Sequence, residues 1–154
     1  MSGKIEARLA ELKIELPKAS VPVANYMPFS VIGNQVHTAG QVSRWNGEFK
    51  YVGSVGKEIS VEDAYQAARI CGLNIITQIR EAVGDLDRVT RCAKLNVFIR
   101  SDESFSDQPK VANGASDLMV EVFGDAGRHA RSAIGVKQLP FGVSVEIDAI
   151  FEFK

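Results

Sequence analysis

Val143-Ser-Val-Glu-Ile-Asp-Ala-Ile-Phe-Glu-Phe153 is the stretch that decides the fold. Val143, Val145, Ile147, Ala149, Phe151 and Phe153 alternate with Ser144, Glu146, Asp148, Ile150 and Glu152, the period-two pattern of a strand with one face in a core. The other face sets Glu146 and Asp148 beside Ile150. A mixed surface of this kind suits cover by another subunit better than bulk water. The strand therefore predicts a sheet with helices on one side, a partner on the other, and sites at the seam.

Upstream, residues 130–137 read as a second strand and as the hairpin partner of the last one. A helix precedes them, with Pro109 near its start, Ala112, Ala115, Leu118, Met119 and Val122 on one stripe, and Gly124 at its end. Before it, Val89, Ala93, Leu95, Val97 and Ile99 alternate with Thr90, Lys94, Asn96 and Arg100, with Arg91 falling on the apolar side. Ser60-Val-Glu-Asp63 resembles a capping box and opens a long helix with Ala64, Ala68, Cys71, Ile75, Ile79 and Ala82 on one stripe and Gly84 as its stop. Residues 43–58 are rich in glycine and polar residues and predict a loop with one short strand around Phe49–Val52. Gly33-Asn34 marks a two-residue hairpin turn, after which His37, Ala39 and Gln41 share one face and Val36, Thr38 and Gly40 the other. Residues 3–14 form a short amphipathic helix, and 17–28, with three prolines, form an irregular arm laid over the body. The order ββ(β)αβαββ predicts an α+β fold, a sheet with both long helices on one face.

Composition narrows the function. The 154 residues fit one domain, and 18 basic against 19 acidic residues leave a net charge of −1, with no basic stripe for nucleic acid. Cys71 and Cys92 lack framework spacing and read as buried thiols in a reducing compartment. No run of about 18 apolar residues is present to cross a membrane, and the charged N-terminus does not look like a leader. A cytoplasmic protein is expected.

The common chemical motifs fail. Gly53-Ser-Val-Gly56-Lys57-Glu58 is not a phosphate loop, because Tyr51 stands where the first glycine is required and Glu58 where Ser or Thr would hold magnesium. Gly114-Ala-Ser116-Asp-Leu118 lacks the second glycine of a nucleophile elbow and falls inside a helix. His37, His129 and the two cysteines lack ligand spacing, so no metal site is expected. No dinucleotide fingerprint and no histidine–nucleophile pairing stand out. What remains is Arg131 with the carboxylate of Glu146. Spacing leaves two readings open: a cross-strand salt bridge, or an anion site with an acid or base beside it.

The chain resembles the YjgF/RidA family over roughly residues 20–154. The resemblance rests on Thr38-Ala-Gly-Gln41, Asn74, Gly84-Asp-Leu-Asp-Arg-Val89, Ala130-Arg-Ser-Ala-Ile-Gly-Val136, Leu139-Pro140 and Val145-Glu-Ile-Asp-Ala-Ile150. It implies a chorismate-mutase-like domain at 20–154 after an added helix and arm at 1–19, and a homotrimer with clefts between subunits. It also implies hydrolytic deamination of 2-imino acids or their enamine tautomers to 2-oxo acids and ammonia, without a cofactor. By position, Arg131 matches the carboxylate anchor and Glu146 the residue that positions water. Tyr26 and Gly40 match the pocket wall, and Ala39 and Ala133 stand where the best-known deaminases carry Ser and Cys. Asp117 or Asn113 matches a further polar position on the second helix. Two other activities fit the family: a non-catalytic binder of small carboxylates or chaperone-like oligomer, favoured by Ala39 and Ala133, and a ribonuclease or translation inhibitor, which the charge disfavours.

Overall fold

Alternating strands and two capped helices give an α+β sheet sandwich in the computed structural model, which describes residues 3–154. The first two residues of the expected 1–19 extension lie outside the described residues. In chain order the elements are α1 (Lys4–Glu11), β1 (Phe29–Ile32), β2 (Gln35–Thr38), β3 (Gln41–Val42), β4 (Arg44–Trp45), β5 (Glu48–Phe49), α2 (Val61–Val83), β6 (Val89–Arg100), α3 (Gln108–Phe123), β7 (Ala130–Val136) and β8 (Val145–Phe153). The main sheet runs β1-β2-β8-β6-β7, with β3 also on β8, and β4 and β5 form a separate ribbon. Residues 43–58 thus hold two short strands rather than one, and Val52 makes a single bridge to Val143.

The sheet is mixed, and its order corrects the expected hairpin. β7 pairs with β6 in parallel, whereas β8 lies antiparallel to β6 on its other side. A parallel pair needs a long crossover, and α3 supplies it. Residues 137–144 then carry the chain past β6, through a short helical turn at Pro140–Gly142. Alternation identifies which face a residue takes but is silent on which strand lies alongside.

Two single-residue slips in the β6–β8 register, between Val89 and Arg91 and between Cys92 and Lys94, correct the expected alternation of β6. Each bulge turns the following residues to the other face. Arg91 is consequently exposed and Cys92 buried, while Leu95, Val97 and Ile99 face the core. Both thiols are free and buried, and burial pushes Cys92 up to about 12 and Cys71 well above its ordinary value, so neither is a ready nucleophile.

α2 opens on Ser60, whose Oγ accepts the Asp63 N–H at 3.1 Å. From Cys71 to Ile79 every residue is buried, because the sheet, α3 and the N-terminal arm enclose it on three sides. The arm is tied down where it crosses: Thr77 Oγ1 donates to the Pro17 carbonyl at 2.9 Å and Gln78 Nε2 to that of Ser20 at 3.4 Å. Beyond that crossing the expectation of an arm packed on its own body fails, since Val21, Val23, Tyr26 and Met27 are exposed. α1 packs on α3, with Leu9 buried and Arg8 Nε donating to the Glu121 carbonyl at 2.9 Å. No helix among the described residues is long and apolar enough to cross a membrane.

α2 and α3 approach closely at Gly114, where a Cβ would collide with the Tyr65 carbonyl. Backbone cannot move aside as a side chain can, so Gly114→Ala overpacks the helix pair. A loss of about 1–3 kcal/mol is expected, read as a fall of several degrees in Tm; an unchanged Tm would show that the helices separate freely.

Candidate active site

The strand that opens at Gln35 is broken at Ala39–Gly40. β2 pairs with β8 as Val36↔Phe151 and His37↔Ile150, but β3 resumes as Gln41↔Ile147 and Val42↔Glu146, one residue out of step. Thr38 fills the gap by accepting the Ala149 N–H on its Oγ1 at 3.0 Å. The extra residue reverses the expected facing: Gln41 turns inward and Gly40 turns to the open face of the sheet. There Gly40 meets Glu146. A Cβ on Gly40 would stand 2.9 Å from Glu146 Oε1, so the absent side chain is what makes room for the carboxylate.

Glu146 lies in a cleft of about 450 Å³ lined by Tyr26, Ala39, Gly40, Asn74 and Phe141 among others. Asn74 braces its floor, donating from Nδ2 to the Arg44 carbonyl at 2.7 Å and so tying α2 to the start of β4. Phe141 stacks on Phe49 with ring centroids 4.5 Å apart at one rim, and its φ of 60° is a conformation that non-glycine residues seldom adopt. Glu146 is half-buried. Burial pushes its carboxyl above the usual range, and the like charge of Asp148 on the same face adds to the effect. Asp148 itself accepts from Asn96 Nδ2 at 2.7 Å, whereas no hydrogen bond holds the Glu146 carboxylate among the described residues.

Arg131 lies elsewhere. It pairs with Leu95 in register and shares that residue's helix-facing side, while Glu146, opposite Phe98, faces the open side. Arg131 and Glu146 are therefore on opposite faces of the sheet with β6 between their strands. This overturns the cross-strand salt bridge as a reading of the pair. Arg131 Nη1 donates to Asn113 Oδ1 at 2.9 Å and to Ser116 Oγ at 3.0 Å, both on α3. Among the described residues no carboxylate pairs with this half-buried guanidinium, and Nε and Nη2 have no partner. Ala133, two residues on, packs at the core edge on the same side.

Of the two candidates on α3, Asn113 reaches Arg131. Asp117 instead accepts the Tyr65 hydroxyl at 2.7 Å, which pushes the Tyr65 phenol up to about 12. The cleft thus gathers Tyr26, Ala39, Gly40 and Glu146; Arg131 and Ala133 form a second group, and Asp117 belongs to neither. Ser116 and His129 were missed. Their side chains meet at 2.8 Å, a histidine–hydroxyl pair that corrects the expectation of none. His129 stands two residues before Arg131, and Ser116 three after Asn113, so a strand period and a helix period both pointed there. Seeing it required knowing that α3 covers β7.

A family described as "YjgF/chorismate mutase-like, putative endoribonuclease" matches residues 6–148. Protein TCP17 of Trypanosoma cruzi is 47% identical over 152 residues, covering 98% of this chain and 95% of that protein. The crystal structure of Atu1372 from Agrobacterium tumefaciens, a protein of unknown function, superposes with a TM-score of 0.91 at 45% identity over 97% of this chain and 92% of its own. A 2-iminobutanoate/2-iminopropanoate deaminase of Dermatophagoides farinae is 29% identical over 137 residues, covering 89% of this chain and 92% of that protein.

The contact between Gly40 and Glu146 is testable by itself. Gly40→Ala meets only the far end of a movable side chain, so it should shift Tm by no more than a few degrees while displacing the carboxylate. Thermal denaturation together with a crystal structure of the variant checks both; an undisplaced Glu146 would remove the stated reason for glycine here.

Proposed function

The chain belongs to the YjgF/RidA family, and from that premise we propose that it hydrolyses 2-imino acids, or their enamine tautomers, to 2-oxo acids and ammonia in clefts shared between the subunits of a homotrimer. One observation carries this reading: among the described residues, a half-buried cation without an anion, Arg131, and a half-buried anion without a cation, Glu146, lie on opposite faces of one chain's sheet. Within a single copy they cannot act on one small molecule. A second copy docked against the open face brings the Arg131 group of one subunit to the Glu146 cleft of the next. Such docking also covers Val23, Tyr26, Met27 and Phe141, which a lone chain leaves exposed around the cleft.

The chemistry needs little more than position. Arg131 offers Nε and Nη2 as a planar fork to the substrate carboxylate. A protonated imine is already electrophilic at C2, so water adds there once it is aimed and relieved of a proton. Glu146 accepts that proton as the C–O bond forms, giving a carbinolamine. Returning the proton to nitrogen allows the C–N bond to break, and ammonia leaves as the carbinolamine hydroxyl passes its proton to Glu146 and the 2-oxo group forms. A carboxyl whose affinity for protons is raised by burial is better matched to this exchange than an ordinary glutamate. Tyr26, Ala39 and Gly40 wall the cleft on the Glu146 side.

Semicarbazide trapping of imino acids made by an amino-acid oxidase tests the activity. Wild type should suppress the trapped signal, and Arg131→Ala, Arg131→Lys and Glu146→Gln should not; lysine fails because it presents a point charge rather than a fork. Mixing Arg131→Ala with Glu146→Gln chains and reassembling them tests the sharing. Random mixing leaves roughly a quarter of the sites with both native groups, so about that fraction of activity should return; none returns if the site lies within one chain. Carboxylate binding without turnover of any imino acid would replace the hydrolase with a binding module.

The acid limb gives a further check. Only the deprotonated Glu146 accepts a proton from water, and its pKa is raised, so kcat/KM should fall on acidification at a pH above the ordinary glutamate value of about 4.3. A limb at or below that value would mean that the docked guanidinium outweighs burial at Glu146, and a rate with no acid limb at all would exclude Glu146 as the base.

A further inference from the structure

Beside Arg131 stand two side chains to which the deaminase reading assigns no role. His129 Nδ1 lies 2.7 Å from the carbonyl oxygen of buried Gly127, and its Nε2 lies 2.8 Å from Ser116 Oγ, which in turn stands 3.0 Å from Arg131 Nη1. Hydrogen-bond polarity orders this row. A guanidinium only donates, so Ser116 Oγ accepts from Arg131. The Gly127 carbonyl only accepts, so Nδ1 of His129 carries a proton. A neutral imidazole then has a lone pair on Nε2, and the Ser116 hydroxyl donates its one proton there. Each member fills the capacity its neighbour leaves, and the row runs from Arg131 through Ser116 and His129 to the main chain.

The neutral state fits the surroundings. His129 is half-buried next to a guanidinium; burial and that positive charge both disfavour a second proton, against a smaller opposing effect of the Gly127 carbonyl. The consequence falls on Arg131. Its Nη1 is engaged by Asn113 from one turn of α3 and by Ser116 from the next. Two acceptors on one nitrogen fix the plane of the guanidinium and leave the Nε–Nη2 edge as the free one. Asn113 alone would leave the plane free to turn about that single bond.

We propose that Ser116 and His129 are positioning residues, which hold the Arg131 guanidinium in the plane that receives a substrate carboxylate, with His129 serving as a neutral, Nδ1-protonated imidazole. This rests on the reading of Arg131 as the carboxylate anchor. Because the anchor holds substrate and transition state alike, loss of the row should weaken binding more than it slows the chemical step.

Two measurements on the full-length protein test it. Long-range proton–nitrogen correlation spectra report the His129 tautomer without any ligand: a protonated Nδ1 and a lone pair on Nε2 are expected at neutral pH, and the reverse tautomer or an imidazolium would overturn the row. Titration with 2-oxobutanoate, the product of 2-iminobutanoate hydrolysis, reads the consequence. Ser116→Ala and His129→Phe should each raise its Kd, and the KM for the imino acid, about tenfold, with kcat within about twofold of wild type. Ser116→Thr, which keeps the hydroxyl, should restore both. If Arg131→Ala abolishes binding while Ser116→Ala and His129→Phe bind as wild type does, the positioning role is wrong and the anchor stands. If Arg131→Ala binds as tightly as wild type, the anchor reading fails and the proposal fails with it.

Discussion

β6 stands between β7 and β8, and that one placement governs the chemistry of the molecule. Because β7 is tied to β6 in parallel through the α3 crossover, Arg131 emerges under α3 on the helix-facing side. Because β8 is tied to β6 antiparallel, Glu146 emerges on the open side. Had β7 paired with β8 as a hairpin, the two charges would have stood on neighbouring strands. Among the described residues the actual topology keeps both without a counter-charge, which is costly for half-buried groups and is tolerated best where a ligand or a second chain supplies what is missing.

The packing serves the same arrangement. α2 is enclosed by the sheet, α3 and the arm, so it forms a rigid floor, and Asn74 uses that floor to hold the segment that follows β3. Rigidity stops at the cleft. Past Ser20 the arm turns its apolar side chains outward, and Phe141 projects on a left-handed backbone, stacked on Phe49. Exposed aliphatic and aromatic surface next to an open sheet face has no stabilising value in a lone chain. It has value in an interface, and it surrounds the Glu146 cleft.

How much of this was legible from the residues follows from the range of each signal. Local signals were read well: the Ser60 cap, the two amphipathic helices, the Gly33-Asn34 turn and the alternation of β8. Arg131 and Glu146 stood out as candidates, and Gly40 entered through the family resemblance as a position where main-chain groups face the ligand. Signals that depend on pairing were misread. Arg91 looked like an exception to alternation, when the two bulges in β6 had moved the faces beneath it. Gly40 and Gln41 were given the faces of an unbroken strand, when the one-residue slip opposite β8 reverses them. Ser116 was read as a helical serine, which it is, but the imidazole that completes its role arrives from 13 residues away.

In the proposed reaction, the two alanines bear on selectivity rather than on the chemical step. Ala39 lines the cleft on the Glu146 side, and Ala133 packs on the core edge of the Arg131 side. Neither can offer a hydrogen bond from its side chain, so a carboxylate met by the Arg131 fork and a water held by Glu146 carry the polar recognition between them. A methyl wall distinguishes substrates by bulk, and one methylene more or less in such a pocket alters binding by only about 1–3 kcal/mol. A site that would reject an analogue strongly needs a buried polar atom left unpaired by the wrong molecule, and these positions have none to leave. On the proposed function, the same substitutions keep the charged pair and broaden the range of side chains accepted, as substrates that share a reactive group rather than a shape require.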